Sequence, residues 1–238
     1  MSAPFTFKEF TIQQDKCAAK IGTDGVLLGA WASLDEQPHA ILDIGTGTGI
    51  IALQLAQRSA AQIIDAVELD PDAYEQATSN FENSPWNDRL FCYHASLLEY
   101  ATEIDETYDL IISNPPYYEP NQKTTDASRD LARFEDAMPF SELLGSSAKL
   151  LRDDGQLATI IPFHREEEFI SLAAKVALFP SRITRVRGME HTPIKRSLLQ
   201  FSRKQKTTFI QEELVIEKSR HEYTTAYQSL VKDFYLKM

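Results

Sequence analysis

Asn114-Pro115-Pro116-Tyr117 follows Tyr108-Asp109-Leu110-Ile111-Ile112-Ser113, an apolar run that reads as a buried strand. Two consecutive prolines remove two backbone donors and fix the local chain direction. The turn then offers an amide side chain, free carbonyl oxygens and an aromatic face, held stiffly where the strand ends. That set suits a flat molecule with polar edges, such as a nucleobase. A second group stands earlier, in Gly45-Thr46-Gly47-Thr48-Gly49. Glycines directly after a strand let the backbone approach a ligand and expose the amides of a following helix. The Gly-x-Gly-x-Gly spacing lacks the wider interval of dinucleotide binders, where a pyrophosphate sits on the helix. Asp43 lies inside the strand before this turn, where a carboxylate is costly without a polar partner. Glu68 ends the next strand, a position from which an acid accepts from vicinal ribose hydroxyls. Glycines, Asp43 and Glu68 together point to a nucleoside-type cofactor, against the plainer reading of Glu68 as a solvated strand end.

Alternating strands and helices must position these groups. The pattern predicts a short strand or hairpin over residues 4–14. An apolar helix follows the Gly22-Thr23-Asp24-Gly25 turn, with Asp24 as its cap. Strands are expected at 40–44, 62–68, 90–94, 108–113 and 156–161, and near 183–187 and 197–203. Helices are expected after Gly49, from Pro71 at its favoured first position, over 138–151 and over about 165–177. Such alternation predicts an α/β fold, a doubly wound Rossmann-like sheet, mostly parallel and covered on both faces. One domain is expected, with residues 1–38 as an N-terminal extension, 39–206 as the core and 207–238 as a C-terminal segment.

The 238 residues are 43% hydrophobic and 25% charged, with no apolar run near the roughly 20 residues of a membrane helix. The N-terminus lacks a basic region followed by an apolar core, so no signal peptide is expected. Cys17 and Cys92 lie far apart and the five histidines are scattered, so no metal site is expected. Reduced thiols in the cytoplasm are the simplest reading. A net charge of −11 opposes non-specific nucleic-acid binding. The segment from Arg182 to Lys206 departs from it, with eight bases, among them Lys195, Arg196 and Arg203, against the single acid Glu190. It reads equally as a phosphate-facing patch or a solvated strand-loop-strand surface. Residues 118–137 read as a polar loop over the site. In it Arg129 and Arg133, one helical turn apart, could meet a substrate backbone or form an ordinary solvated face.

Ile41-Leu42-Asp43-Ile44-Gly45-Thr46-Gly47-Thr48-Gly49, Val67-Glu68-Leu69-Asp70 and Asn114-Pro115-Pro116-Tyr117 together resemble the class I S-adenosylmethionine-dependent methyltransferases. The Asn-Pro-Pro-Tyr form is similar to the branch that methylates amino groups. Phe7-Lys8-Glu9-Phe10-Thr11-Ile12, the stretch Gly22 to Trp31 and Asp233-Phe234-Tyr235-Leu236-Lys237 extend the resemblance to nearly the full length. They resemble the bacterial valine-tRNA adenine-N6 methyltransferases, whose members modify the adenosine beside the anticodon. The resemblance implies S-adenosyl-L-methionine as cofactor and the anticodon loop of a tRNA as partner. It implies that Asp43, Gly45, Gly47 and Gly49 hold the methionine end, with Thr23 and Asp24 near it. Glu68 would take the ribose, and Ser96 and Leu97 would lie beside the adenine.

In that chemistry the Asn114 side-chain oxygen and the Pro115 carbonyl each accept one N–H of the target amine. The nitrogen becomes more tetrahedral and its lone pair can point at the methyl group. Tyr117 stacks on the base. A protein glutamine amide offers the same two N–H donors, so release-factor-like proteins are an alternative substrate. Against it, that branch usually carries an N-terminal helical domain, and only some 40 residues precede Asp43 here. A binding module without catalysis is opposed by the presence of Asp43, the glycines, Glu68 and Asn114 together.

Overall fold

Short apolar runs separated by amphipathic segments of helix length bury both faces of a sheet by winding back and forth across it. The computed structural model describes residues 3–116, 138–205 and 207–238. A hairpin of β1 (Phe5–Thr6) and β2 (Thr11–Ile12) precedes α1 (Thr23–Trp31). The alternation then runs β3 (Ala40–Ile44), α2 (Ile50–Arg58), β4 (Ile63–Glu68), α3 (Pro71–Glu82), β5 (Leu90–His94), α4 (Leu97–Glu103) and β6 (Tyr108–Ser113). After it come α5 (Phe140–Leu150), β7 (Leu151–Pro162), a 3-10 turn (Phe163–Arg165) and α6 (Glu166–Lys175). The chain continues through β8 (Phe179–Met189), β9 (Ile194–Ser202), β10 (Ile210–Ser219), β11 (Glu222–Tyr223) and α7 (Thr225–Val231).

The main sheet has nine strands in the order β11-β10-β8-β9-β7-β6-β3-β4-β5. Strands β7, β6, β3, β4 and β5 are mutually parallel, β9 is antiparallel to both its neighbours, and β10 runs parallel to β8. The doubly wound, mostly parallel expectation holds. Within residues 207–238, β10 and β11 form one end of the sheet. Helices α1, α2, α3 and α7 pack on one face around Leu27, Leu53 and Phe81. Helices α4, α5 and α6 pack on the other around Tyr100, Leu143 and Phe169. Fully burying each such side chain contributes about 1.5–3 kcal/mol, and the two layers fix the strand ends that carry the polar groups.

Helix α1 shows how closely the layers meet. Seven of its residues, Gly25 to Trp31, are buried, so it has no solvent stripe to read as amphipathic. A methyl group at Gly25 would stand 3.3 Å from Ile50 Cγ2, and one at Gly29 would overlap the Gln54 side chain. Two glycines one turn apart thus let α1 lie against α2. Asp24 does not cap this helix as expected. Gly22 occupies the cap with no side-chain hydrogen bond, and Asp24 in the first turn pairs with Arg196 at 2.8 Å. An acid there still favours the positive end of the helix dipole.

Candidate active site

Strand β3 stands where the winding reverses, with β4 on one side and β6 on the other, and ligands of open α/β sheets bind at such a point. Ile44 is level with Val67 of β4 and with Ser113 of β6. The next residues, Gly45, Glu68 and Asn114, therefore emerge side by side, about 4.8 Å per strand. The structure brings together the three groups singled out from the sequence.

Gly45, Gly47 and Gly49 have φ of 69°, 56° and 81°, all left-handed. The reasons differ along the loop. A Cβ at Gly49 would stand 2.5 Å from Phe81 Cε1, so that glycine is needed for packing. At Gly45 and Gly47 a Cβ would meet nothing within 4 Å. The backbone there faces open space, as a loop cradling a ligand must. The loop is held from below by the Gly45 amide, which donates to the Val67 carbonyl at 2.8 Å. Helix α2 follows directly, with its first amides unpaired within the helix.

Asp43 is fully buried beneath this loop. Its Oδ2 accepts from the Thr46 hydroxyl at 2.6 Å, while Oδ1 makes no hydrogen bond of normal geometry among the described residues. Burial pushes its pKa up from 3.8 to about 7, against the Thr46 hydroxyl and the Ala52 amide, which favour the charged form, and with repulsion from Glu68. Glu68 is oriented by amides. Oε2 accepts from Gly47 at 2.8 Å, and Oε1 from Leu69 at 2.9 Å and Asp70 at 3.0 Å. A carboxylate has about four acceptor sites, so capacity remains for a hydroxyl. Left-handed glycines facing open space, an orphaned buried acid oxygen and a clamped carboxylate fit a nucleoside carrying a cationic amino-acid end.

Asn114 is half-buried, and its Oδ1 has no hydrogen-bond partner among the described residues. The cost of a buried acceptor left unpaired, about 1–3 kcal/mol, is offset when a ligand donor arrives. Ser113 anchors the strand end through its hydroxyl, which donates to the Ile44 carbonyl at 2.9 Å. Pro115 is buried and Pro116 exposed. Tyr117, Arg129 and Arg133 lie outside the described residues.

Other expected site residues stand differently. Thr23 is exposed at the head of α1, whose Gly25 abuts Ile50 just past the glycine loop. Ser96 spends its hydroxyl on a capping box, accepting from the Glu99 amide at 3.2 Å and donating to the Glu99 carboxylate at 2.7 Å. Leu97 is buried in the core at 3% exposure. Leu69, which the sequence reading passed over, is 57% exposed directly beside Glu68. It is an apolar surface suited to a nucleobase; a bare leucine after a strand-ending acid was the available signal. Asn80 was also missed. Its amide donates to the carbonyls of Gln13 and Thr48, each at 2.9 Å, tying the N-terminal segment to the glycine loop. No helix among the described residues is long and apolar enough to cross a membrane.

The basic segment is mostly paired. Arg182 bonds Glu212, Arg185 forks onto Glu166 and Arg187 bonds Glu213, at 3.2, 2.6 and 2.7 Å. Arg203 donates to the carbonyls of Ala148 and Leu151. Lys195 is exposed.

Residues 26–177 match the family described as the methyltransferase small domain. A tRNA1(Val) (adenine(37)-N6)-methyltransferase of Christiangramia forsetii is 56% identical over 99% of this chain and 98% of its own length. One of Flavobacterium psychrophilum is 58% identical over 98% of this chain and 100% of its own length. Among solved structures, a predicted O-methyltransferase from Agrobacterium tumefaciens superposes with a TM-score of 0.70 at 20% identity, covering 89% of this chain and 96% of that one. That likeness concerns the fold alone, the class I S-adenosylmethionine-dependent methyltransferase sheet. The cofactor of this enzyme is S-adenosylmethionine, and the chain belongs to the methyltransferase small domain family, in its branch of tRNA1(Val) (adenine(37)-N6)-methyltransferases.

Proposed function

We propose that this enzyme methylates the exocyclic N6 of an adenosine in a tRNA anticodon loop, the adenosine at position 37 of a valine tRNA as in its relatives. The observation that carries the reading is Asn114 Oδ1, which has no hydrogen-bond partner among the described residues and stands one strand away from the open glycine loop. S-adenosylmethionine, when bound, would supply a methyl group on a sulfonium, whose carbon–sulfur bond would break as the amine nitrogen takes the methyl, with the neutral thioether as leaving group. Asp43 and the glycines Gly45, Gly47 and Gly49 hold its methionine end, with Thr23 at the rim. Glu68 accepts from the ribose, and Leu69 and the head of α4 at Ser96 and Leu97 border the adenine.

An aromatic amine is a poor nucleophile because its lone pair is delocalised into the ring. Asn114 Oδ1 and the Pro115 carbonyl each accept one of its N–H groups, which turns the lone pair out of the ring plane. Orientation contributes most, since correct placement lowers such barriers by about 7–11 kcal/mol. Tyr117 stacks on the base, worth about 1–3 kcal/mol. No side-chain base is needed before the displacement, and the proton leaves the cationic product for solvent. A loop adenine can be splayed out cheaply, whereas one in a duplex cannot. Lys195 and Arg196 meet the phosphates, and Arg129 and Arg133 meet the RNA backbone. The substrate places the activity in the cytoplasm. Glutamine would satisfy Asn114 equally, but the near-full-length relatives favour adenosine.

The protein is incubated with labelled S-adenosylmethionine and total tRNA from a strain lacking the enzyme. Label is expected in valine tRNA as N6-methyladenosine, and its absence there would sink the proposal.

A further inference from the structure

Beyond the site described, the described residues enclose a groove of about 760 Å³ between the N-terminal hairpin, the head of α1, the ends of β8 and β10, and the segment from β11 onward. That volume is within the range that holds small ligands. Its walls are aromatic. Phe5 meets Tyr235 edge-on at 6.1 Å, and Tyr223 lies 5.2 Å from Tyr227 at 31°. Phe5, Tyr223 and Tyr235 are only half-buried, so ring surface remains open. Lys237 lines the groove and is exposed. The lining acid, Glu217, already accepts from the His221 amide at 3.2 Å.

Position decides what such a groove can meet. Strands β8 and β10 run in the same direction as β6, so the groove opens on the same edge of the sheet as Asn114. From β6 to β8 is three strand spacings, through β7 and β9, or roughly 14 Å. Between them the rim carries Arg196 on β9, bonded to Asp24 of α1. Thr23 belongs both to the groove and to the helix head beside the glycine loop. Groove and candidate active site therefore open on the same edge of the sheet, with Thr23 and Arg196 between them.

We infer that this groove is a second nucleobase subsite: an unpaired base of the substrate RNA flanking the target adenosine stacks among Phe5, Tyr223 and Tyr235, while Lys237 meets its phosphate. The inference rests on the RNA-methylating reading above. Aromatic faces bind any base through its π surface, so the subsite adds affinity and register without reading sequence. It gives an acidic protein a hold on RNA that does not depend on a broad positive face.

The test uses an anticodon stem-loop RNA and versions with an abasic site at each unpaired position except the target. With the unaltered enzyme, one abasic position should raise KM by roughly 5- to 100-fold. Tyr223→Ala should show that rise with the intact RNA and no further rise with the abasic one, while Tyr223→Phe keeps the original KM. Turnover at saturating RNA and cofactor affinity should stay within about twofold for all three proteins, which excludes collapse of the fold. Lys237→Gln, at an exposed position, should flatten the salt dependence of RNA binding by about one counterion. The inference is overturned if the abasic and Tyr223→Ala losses multiply independently, or if Tyr223→Ala and Lys237→Gln leave RNA binding unchanged, which would assign the groove to a protein or to no ligand. Absence of methylation of any RNA by the unaltered enzyme would instead remove the parent reading and this subsite with it.

Discussion

Two regions of the sheet treat polar groups in opposite ways. At β3, β4 and β6 capacity is left unspent among the described residues: Oδ1 of Asp43, Oδ1 of Asn114 and open space over Gly45 and Gly47. Along β8 and β9 charge is consumed, as Arg182, Arg185 and Arg187 each meet a carboxylate and Arg203 meets two carbonyls. On the proposed reading, chemistry falls where polar capacity is left unsatisfied and not where charge is densest. Partly exposed pairs such as Arg187–Glu213 contribute little to stability, at most about 1 kcal/mol each. They do, however, remove those guanidiniums from competition for phosphate.

The contrast can be broken most directly at Asn114. Asn114→Ala should lower kcat by roughly 100- to 1000-fold, as loss of a preorganised polar contact does elsewhere. Cofactor affinity by calorimetry should hardly change, and undiminished turnover would refute the role. Glu68→Gln comes next. It removes the charge that would receive ribose hydroxyls and should weaken S-adenosylmethionine binding roughly 10- to 100-fold, with RNA affinity unaltered.

Asp43 sharpens the comparison through pH. Its carboxyl is at 3.8 unfolded and about 7 in the apo fold, chiefly because it is buried. Across that interval the folded protein holds a proton that the unfolded chain has released. The stabilisation from this group is thus fully present below pH 3.8 and is lost as pH rises through 7. Asp43→Asn cannot titrate, so urea midpoints of the variant should fall less over the same range. Parallel curves for the two proteins would contradict the assignment.

The smallest effects belong to the basic stretch. Arg203→Ala should cost about 1–3 kcal/mol of stability, since two carbonyls lose a charged donor, and leave RNA affinity alone. Lys195→Ala should do the reverse, with stability within about 0.5 kcal/mol and a shallower salt dependence of RNA binding. Interchanged outcomes would mean that Arg203, as first expected, is the residue facing RNA.

Much of the candidate site was legible because its rules are local. A strand, three glycines, an acid and two prolines declare themselves within a few residues, and Pro71 opens α3 where expected. The rest depends on distant partners. Nothing near Arg182 or Arg187 announces Glu212 or Glu213, which reach them only because β10 lies beside β8. Strand β10 escaped notice because Ile210 to Glu213 are exposed and polar residues interrupt its alternation. Helix α4 is seven residues long and is carried by its capping box, a signal present in Ser96 and Glu99 that went unread. The three amides that clamp Glu68 come from backbone geometry, which no residue type reveals.

The aromatic groove also has a timetable. Phe5 meets Tyr235 edge-on and Phe7 packs against it at a tilt, the Lys8 amide donates to the Phe234 carbonyl at 2.9 Å, and the Lys8 ammonium reaches the carbonyl of Lys232, 224 positions away. Contacts so distant in sequence form late, because the loop they close must be ordered first. On the ribosome Phe5 emerges long before Tyr235 exists, so the doubly wound sheet can assemble while this clasp stays open. The glycine loop and Asn114 can thus take shape before the groove does, and a nascent chain gains its second hold on RNA only when residue 235 has been released.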